Sequence, residues 1–151
     1  QTEGYDNGCS QVMFLDAETG THIEELGGMN LFFVYKDGHV ATPALDGNIL
    51  HGITRDSVIT LIRDRGLKVE ERLITLDEVR AGVNSGDIVE MFACGTAAVI
   101  TPVGQLLSRE ETIGEADPAP GALTVSLREE LTGMQYGRVA DRHNWLVKLV
   151  D

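Results

Sequence analysis

The stretch His22-Ile23-Glu24-Glu25-Leu26-Gly27-Gly28-Met29-Asn30-Leu31-Phe32-Phe33 constrains this chain most. An alternating segment stops at a glycine pair and resumes as an apolar run, the pattern of two strands joined by a tight turn. Period-2 alternation puts Ile23 and Glu25 on one face and His22 and Glu24 on the other. Glu25 thus shares a face with Ile23 directly before Leu26 and the glycines. A carboxylate there is either a solvated edge charge, the commoner case for a strand glutamate, or an acid held to meet a specific partner.

The neighbouring segments extend the strand-rich pattern. Gln11 to Leu15 reads as a buried strand and Asp16 to Gly20 as a turn, so the first unit is a hairpin. Leu31 to Tyr35 runs through Lys36-Asp37-Gly38 into Val40-Ala41-Thr42, and Asp-Gly between apolar stretches is a strong hairpin signal. Pro43 ends that strand. Thr54 to Arg65 is the clearest early helix, with Val58, Leu61, Ile62 and Arg65 at helical spacing and Gly66 as its stop. Its β-branched residues require tertiary packing to hold it.

Lys68 to Ile74 alternates as a strand, and Thr75-Leu76-Asp77-Glu78 matches a capping box for a short helix to about Ala81. Asn84 to Asp87 reads as a loop. Ile88 to Phe92 and Ala97 to Ile100 read as strands around a Cys94-Gly95-Thr96 turn, with Pro102 ending the second. Gln105 to Pro120 is a polar surface loop, with a short strand at Thr112-Ile113. A helix spans Gly121 to Gln135, with Leu123, Leu127, Leu131 and Met134 along one stripe, and the tail from Trp145 to Val150 packs as a last segment. The expected class is α+β: one domain over 1–151, a strand-rich core flanked by three helices.

Charge narrows the partners. Twelve Lys and Arg against 24 Asp and Glu leave a net charge of -12, which repels nucleic acid and anionic membranes at long range. Local backbone amides can still bind a phosphate. Cys9 and Cys94 form neither a disulfide framework nor a metal cluster, and two unpaired thiols favour a reducing, cytoplasmic setting. No apolar run approaches a membrane span and no signal peptide is visible. The chain opens on Gln1 with no initiator Met, as a processed protein or a piece of a longer one would.

His22, His39, His51 and His143 are scattered, with no metal-binding spacing, and no nucleophile elbow or P-loop occurs. Two Gly-containing turns instead present amides beside a Thr. At Gly52-Ile53-Thr54 the first N–H groups of a helix lack internal partners and face an anion favourably. At Gly95-Thr96-Ala97 successive N–H groups can form an anion nest. Taken singly, each is ordinary turn chemistry, and Thr54 can simply cap its helix through the Ser57 amide. Together with Glu25 they suit a ligand that has a phosphate at one end and a protonated ring nitrogen at the other. Pyridoxal phosphate is such a ligand, and a carboxylate at its ring nitrogen deepens the electron sink.

The segments Glu25-Leu26-Gly27-Gly28-Met29-Asn30-Leu31-Phe32, Leu50-His51-Gly52-Ile53-Thr54-Arg55-Asp56 and Gly95-Thr96-Ala97-Ala98-Val99-Ile100-Thr101-Pro102-Val103 resemble, in order and spacing, the branched-chain amino acid aminotransferases, fold-type IV pyridoxal phosphate enzymes. The resemblance runs from Gly8-Cys9 to Gln135-Tyr136-Gly137 and Trp145, and it implies that the strand-rich core is a pseudo-barrel flanked by helices. It implies that Glu25 bonds the pyridine nitrogen and that Leu50 packs on the ring. Ile53, Thr54 and Thr96 would hold the phosphate, and the Ala97 and Ala98 amides would receive the substrate carboxylate. Gly28 and Met29 would border the substrate side.

The resemblance further implies transfer of the amino group of leucine, isoleucine or valine to 2-oxoglutarate in a homodimeric enzyme. His51 departs from the family's usual Pro, Ala93-Cys94 from a Gly or small hydroxyl pair, and the redox CxxC of some members is absent. The family's Schiff-base lysine falls upstream of the segment matching Gln1 to Cys9, and none of Lys36, Lys68 and Lys148 matches it. The arginine and tyrosine of the small N-terminal domain are likewise outside this sequence. The chain is therefore expected to be most of the C-terminal cofactor-binding domain, with no catalytic residue of its own and inactive alone. D-amino acid aminotransferase, aminodeoxychorismate lyase and a non-catalytic acidic binding module are the alternatives; Gly-Gly-Met-Asn and Gln-Tyr-Gly argue against the first two.

Overall fold

A computed structural model describes residues 2–149. A short helix α1 (Thr2–Asp6) precedes a hairpin of β1 (Met13–Leu15) and β2 (Ile23–Leu26). Then come β3 (Asn30–Tyr35), β4 (Val40–Pro43), α2 (Ile53–Asp64), β5 (Val69–Arg72) and α3 (Leu76–Ser85). The chain continues through β6 (Ile88–Gly95), β7 (Val99–Pro102), β8 (Gln105–Leu107), β9 (Thr112–Gly114) and α4 (Ala122–Gln135). The expected α+β class is what the structure shows.

The main sheet has the order β5-β4-β3-β6-β7, with β4 and β5 parallel and every other pair antiparallel. The parallel pair follows from α2, which carries the chain across between β4 and β5. Strand β3 sits at the centre and is buried on both faces, which is why its sequence is a continuous apolar run rather than an alternation. Phe32 and Val34 face α2 and α4, together with Val40 and Phe92. Leu31 and Phe33 face the other way, onto Ile23, Leu26, Ile74 and Val79 from the first hairpin and the α3 region. Phe32 and Phe92, opposite each other on β3 and β6, stack with centroids 4.9 Å apart.

Helix α2 starts and ends one residue earlier than its pattern suggests, with Arg65 as its C-cap and Gly66 in the left-handed region at φ 73°. Its β-branched Val58, Ile59 and Ile62 are buried, so packing offsets their low propensity. Thr75 caps α3, its hydroxyl accepting the Glu78 N–H at 3.1 Å. The reciprocal half of the capping box is not made. The Glu78 carboxylate instead takes the Tyr35 hydroxyl at 2.6 Å and the Arg72 guanidinium at 2.9 Å, and those two partners outcompete the local amide. Arg72 holds the Glu78 carboxyl below its usual range, against the opposing effect of burial. Helix α3 runs past Ala81 to Ser85, ending at Gly86 in the left-handed region, so Asn84 and Ser85 are helical rather than loop.

Other boundaries also move. Phe14 is 45% exposed, so β1 is not a buried strand. Strand β6 extends to Gly95, so the turn is Thr96 to Ala98; Pro43 and Pro102 are the last residues of their strands rather than the residues beyond them. Segment 105–120 contains a two-strand hairpin, β8 with β9, and α1 makes a fourth helix among the described residues. In the tail Trp145 stacks on the His143 ring at 4.5 Å, while Leu146, Val147 and Leu149 are exposed; Val150 lies outside the described residues.

Helix α4 buries Leu127, Leu131 and Met134 as its stripe requires, with Leu123 partly covered. Its N-cap, Gly121, has no side chain to offer, and Glu90 on β6 does the capping instead. The Glu90 carboxylate accepts the Leu123 N–H at 3.1 Å, the Thr124 N–H at 2.9 Å and the Thr124 hydroxyl at 2.7 Å. A Cβ on Gly121 would lie 1.9 Å from the Glu90 carboxyl carbon, so glycine is required for the approach. Glu90→Ala is expected to lower the unfolding free energy by about 1–3 kcal/mol, the cost of leaving these donors unpaired, with an unchanged denaturant slope in urea titration.

Candidate active site

The Gly27-Gly28 turn begins the site. Both glycines have positive φ, 59° and 92°, as a two-residue type I′ turn requires. Leu26 and Met29 exchange backbone bonds across it at 2.9 and 3.0 Å. Just before the turn the pairing of β1 and β2 slips: Met13 faces Leu26, but Leu15 faces Ile23. Two residues, Glu24 and Glu25, therefore stand against Phe14 alone, which is a β-bulge. The bulge interrupts the expected alternation, so Ile23 and Leu26 both enter the core. Both glutamates reach the loop before α2 instead: Glu24 Oε1 accepts from Asn48 Nδ2 at 3.2 Å, and Glu25 Oε1 accepts the Leu50 N–H at 2.6 Å.

The Leu50 peptide is held from its other side as well. Its carbonyl accepts the Asn30 side-chain amide at 3.0 Å and the Gly52 N–H at 2.8 Å. Asn30 opens β3, is 5% exposed, and packs so closely that a Cβ on Gly52 would lie 2.3 Å from its Oδ1. Gly52 is the N-cap of α2, and no side chain caps that helix; Thr54 does not serve as its cap. The first α2 amides, on Ile53 and Thr54, thus stand at an uncapped helix start with a partial positive charge. The Leu50 and Ile53 side chains are largely exposed beside it.

The β6–β7 turn joins this cluster from the third side. Asn30 lies opposite Cys94 in the sheet, and a Cβ on Gly95 would approach Met29 Cγ to 3.1 Å. Thr96, Ala97 and Ala98 follow directly, with Thr96 and Ala97 exposed. Val99 closes the turn at φ 56°, a left-handed conformation that a β-branched residue rarely adopts and that points to a functional constraint on the turn. Glu25, Gly28, Met29, Leu50, Ile53, Thr54, Thr96, Ala97 and Ala98 are therefore gathered around one end of the main sheet, although no hydrogen bond joins Thr54 to Thr96 among the described residues.

Beneath the cluster lie side chains that the motif reading did not single out. Among the described residues the buried polar side chains are Asn30, Thr42, Arg55 and Thr124, and the first three lie at this end of the structure. Thr42 donates to the Leu31 carbonyl at 2.6 Å, and Arg55 Nη2 donates to the Pro43 carbonyl at 3.0 Å. Arg55 precedes Val58, Ile59 and Ile62 at helical spacing, and an arginine aligned with an apolar face was a signal present in the sequence. Lys36 and Lys68 are remote. Lys36 follows the far end of β3 and pairs with Asp87, and the Lys68 carbonyl bonds Val40 beside that same end, about 17 Å of strand from Asn30.

The sheet, the turn glycines and the helix start define a domain of the class IV aminotransferase type. The family model described as "Amino-transferase class IV" matches residues 1–106, and the chain belongs to that family. It is 49% identical to the branched-chain-amino-acid aminotransferase of Mycobacterium tuberculosis over 99% of the chain and 41% of that relative. The chain thus spans about two-fifths of the length of such relatives. The structure superimposes on Escherichia coli branched-chain amino acid aminotransferase with a TM-score of 0.80 and 31% identity, covering 97% of this chain and 45% of that one. The pyridoxal phosphate form of the Thermobaculum terrenum branched-chain amino acid aminotransferase gives 0.75 and 36%, covering 97% and 44%.

Cys94 lies in the floor of the site but is no nucleophile. It is fully buried, and burial pushes its thiol up to about 12, leaving almost no thiolate at neutral pH. Cys9 is partly exposed. Mass spectrometry after iodoacetamide treatment at pH 7.5 is expected to find Cys9 alkylated and Cys94 unmodified until denaturant is added.

Proposed function

We propose that this chain binds pyridoxal phosphate as part of a transaminase that moves the amino group of leucine, isoleucine or valine to a 2-oxo acid such as 2-oxoglutarate. The observation that carries this reading is the clamped Leu50 peptide, which ties a carboxylate with a spare oxygen to an uncapped helix start. Glu25 Oε1 is engaged by the Leu50 N–H, and Oε2 has no partner among the described residues, so it can accept a ring N–H. Such a donor set fits a ligand with a protonated ring nitrogen at one end and a phosphate at the other.

In this reading Glu25 keeps the proton on the ring nitrogen, and the exposed Leu50 side chain lies against the ring face. The amides of Ile53 and Thr54, with Thr96 from the β6–β7 turn, hold the phosphate by hydrogen bonds and the helix dipole. The amides of Ala97 and Ala98 receive the substrate carboxylate, and Gly28 and Met29 border its side chain. Pyridoxal phosphate, when bound, supplies the electron sink for removing the proton beside the substrate nitrogen. The chain forms most of a C-terminal cofactor-binding domain; a small N-terminal domain and the lysine that holds the cofactor belong to the rest of the protein. In this reading the working form is a cytoplasmic homodimer.

The whole protein carrying this chain should form glutamate from 2-oxoglutarate with leucine, isoleucine or valine as donor, while the 151-residue chain alone shows no turnover. Activity only with D-alanine, only with aminodeoxychorismate, or with none of these would overturn the assignment. Glu25→Gln should lower kcat by about 10²–10³ while the protein still binds the cofactor, because the amide cannot stabilise a proton on the ring nitrogen. Sedimentation should give twice the subunit mass.

A further inference from the structure

The charge beneath the proposed phosphate cradle comes from a residue outside those assigned to the ligand. Arg55 is the third residue of α2, in the turn whose amides are uncapped, yet its side chain is buried, with 4% of the residue exposed. Its Nη2 bonds the Pro43 carbonyl at 3.0 Å and the Glu71 carboxylate at 3.1 Å, while its Nε is buried with no partner. Glu71 is not Arg55's alone, because Arg63 binds its other oxygen at 3.0 Å. Two guanidinium groups thus share one carboxylate, and the trio carries a net positive charge in a chain whose net charge is -12.

The field of Arg55 reaches the site. A Cβ on Gly52 would lie 3.4 Å from Arg55 Cβ, which puts the base of the side chain against the helix cap. The Arg55 charge also acts on the Cys94 thiol, which lies opposite Asn30 in the floor, and partly counters the effect of burial there. A charge in so poorly solvated a place acts at longer range than one on the surface. Packing alone does not call for a guanidinium here, since an unbranched apolar side chain would fill the space without an unmet donor.

We propose that Arg55 is a positioning residue of the cofactor site: its buried guanidinium, incompletely neutralised by the shared Glu71, supplies the fixed positive charge under the α2 start that favours a phosphate there. This rests on the function proposed above. It separates the helix start into two contributions, amides that make contact and a buried cation that sets the potential. It also gives Glu71 a role, as the group that limits how strongly the phosphate is held.

The test compares pyridoxal phosphate with pyridoxal, which lacks the phosphate, by absorbance titration of the whole protein carrying this chain. Arg55→Met should weaken pyridoxal phosphate about tenfold and leave pyridoxal unchanged, and Arg55→Lys should recover most of the loss. Glu71→Gln changes a partly exposed residue and should act oppositely, tightening pyridoxal phosphate about threefold without affecting pyridoxal. A purely structural Arg55 would weaken both ligands alike in Arg55→Met and predicts no tightening in Glu71→Gln; either result overturns the proposal. Should Arg55→Met fail to fold, the sign of the Glu71→Gln effect still decides. A wild-type protein with no preference for pyridoxal phosphate over pyridoxal would instead overturn the proposed function, and this inference with it.

Discussion

The pairing of β3 with β6, from Asn30 opposite Cys94 to Tyr35 opposite Ile88, is the constraint on which the site depends. Because β3 is buried on both faces, its register cannot slip by one residue without turning Phe32 and Val34 out of one core half and Leu31 and Phe33 out of the other. That register puts Asn30 opposite Cys94 and brings the Gly27-Gly28 turn beside Gly95. Two turns distant in sequence thus sit together because two apolar strands have only one good way to pair. The polar residues of the site then fill the space left at the end of that pairing, which is where three of the four buried polar side chains among the described residues lie.

Much of this was legible in the sequence wherever the signal is local. Gly27-Gly28 and Asp37-Gly38 marked hairpin turns because glycine is suited to the left-handed backbone that Gly27, Gly28 and Gly38 adopt. Helix α2 was legible from its apolar spacing and its glycine stop, and α4 from its leucine stripe. What escaped depends on partners far away in the chain. The bulge at Glu24-Glu25 exists only relative to β1, so alternation within β2 could not reveal it. Glu90 caps α4 across more than 30 residues, and Glu78 leaves its local capping role for Tyr35 and Arg72. The candidate site residues were found by combining anion-binding turns with a carboxylate and by family resemblance, whereas Asn30 and Arg55 were missed because their burial is a property of the folded core.

The acidic composition and an anion site are compatible because the two act at different ranges. Surface charge is screened within roughly 8 Å at physiological ionic strength, whereas backbone amides act at contact distance and a buried guanidinium acts through poorly solvated surroundings that screen it little. A negative surface discourages polyanions from approaching without weakening a pocket-sized phosphate site. In the same way, the many surface ion pairs, such as Lys68 with Glu70, contribute little to stability, while the buried Arg55 governs a local potential.

Glu25 acquires its importance through a peptide rather than through its charge alone. Its bond to the Leu50 N–H and the bond from Asn30 to the Leu50 carbonyl fix the two successive peptide planes that flank Leu50, and Gly52 bonds the same carbonyl as α2 begins. The carboxylate at one end of the proposed ligand and the helix amides at the other are thus separated by only two residues of clamped chain. Neither end can move without straining the other. A loop, usually the least ordered part of a domain, is made a rigid spacer by three hydrogen bonds, two of them from buried or half-buried side chains. Such a spacer holds the carboxylate and the helix amides at a fixed separation, so binding of the proposed ligand would not need to order the chain.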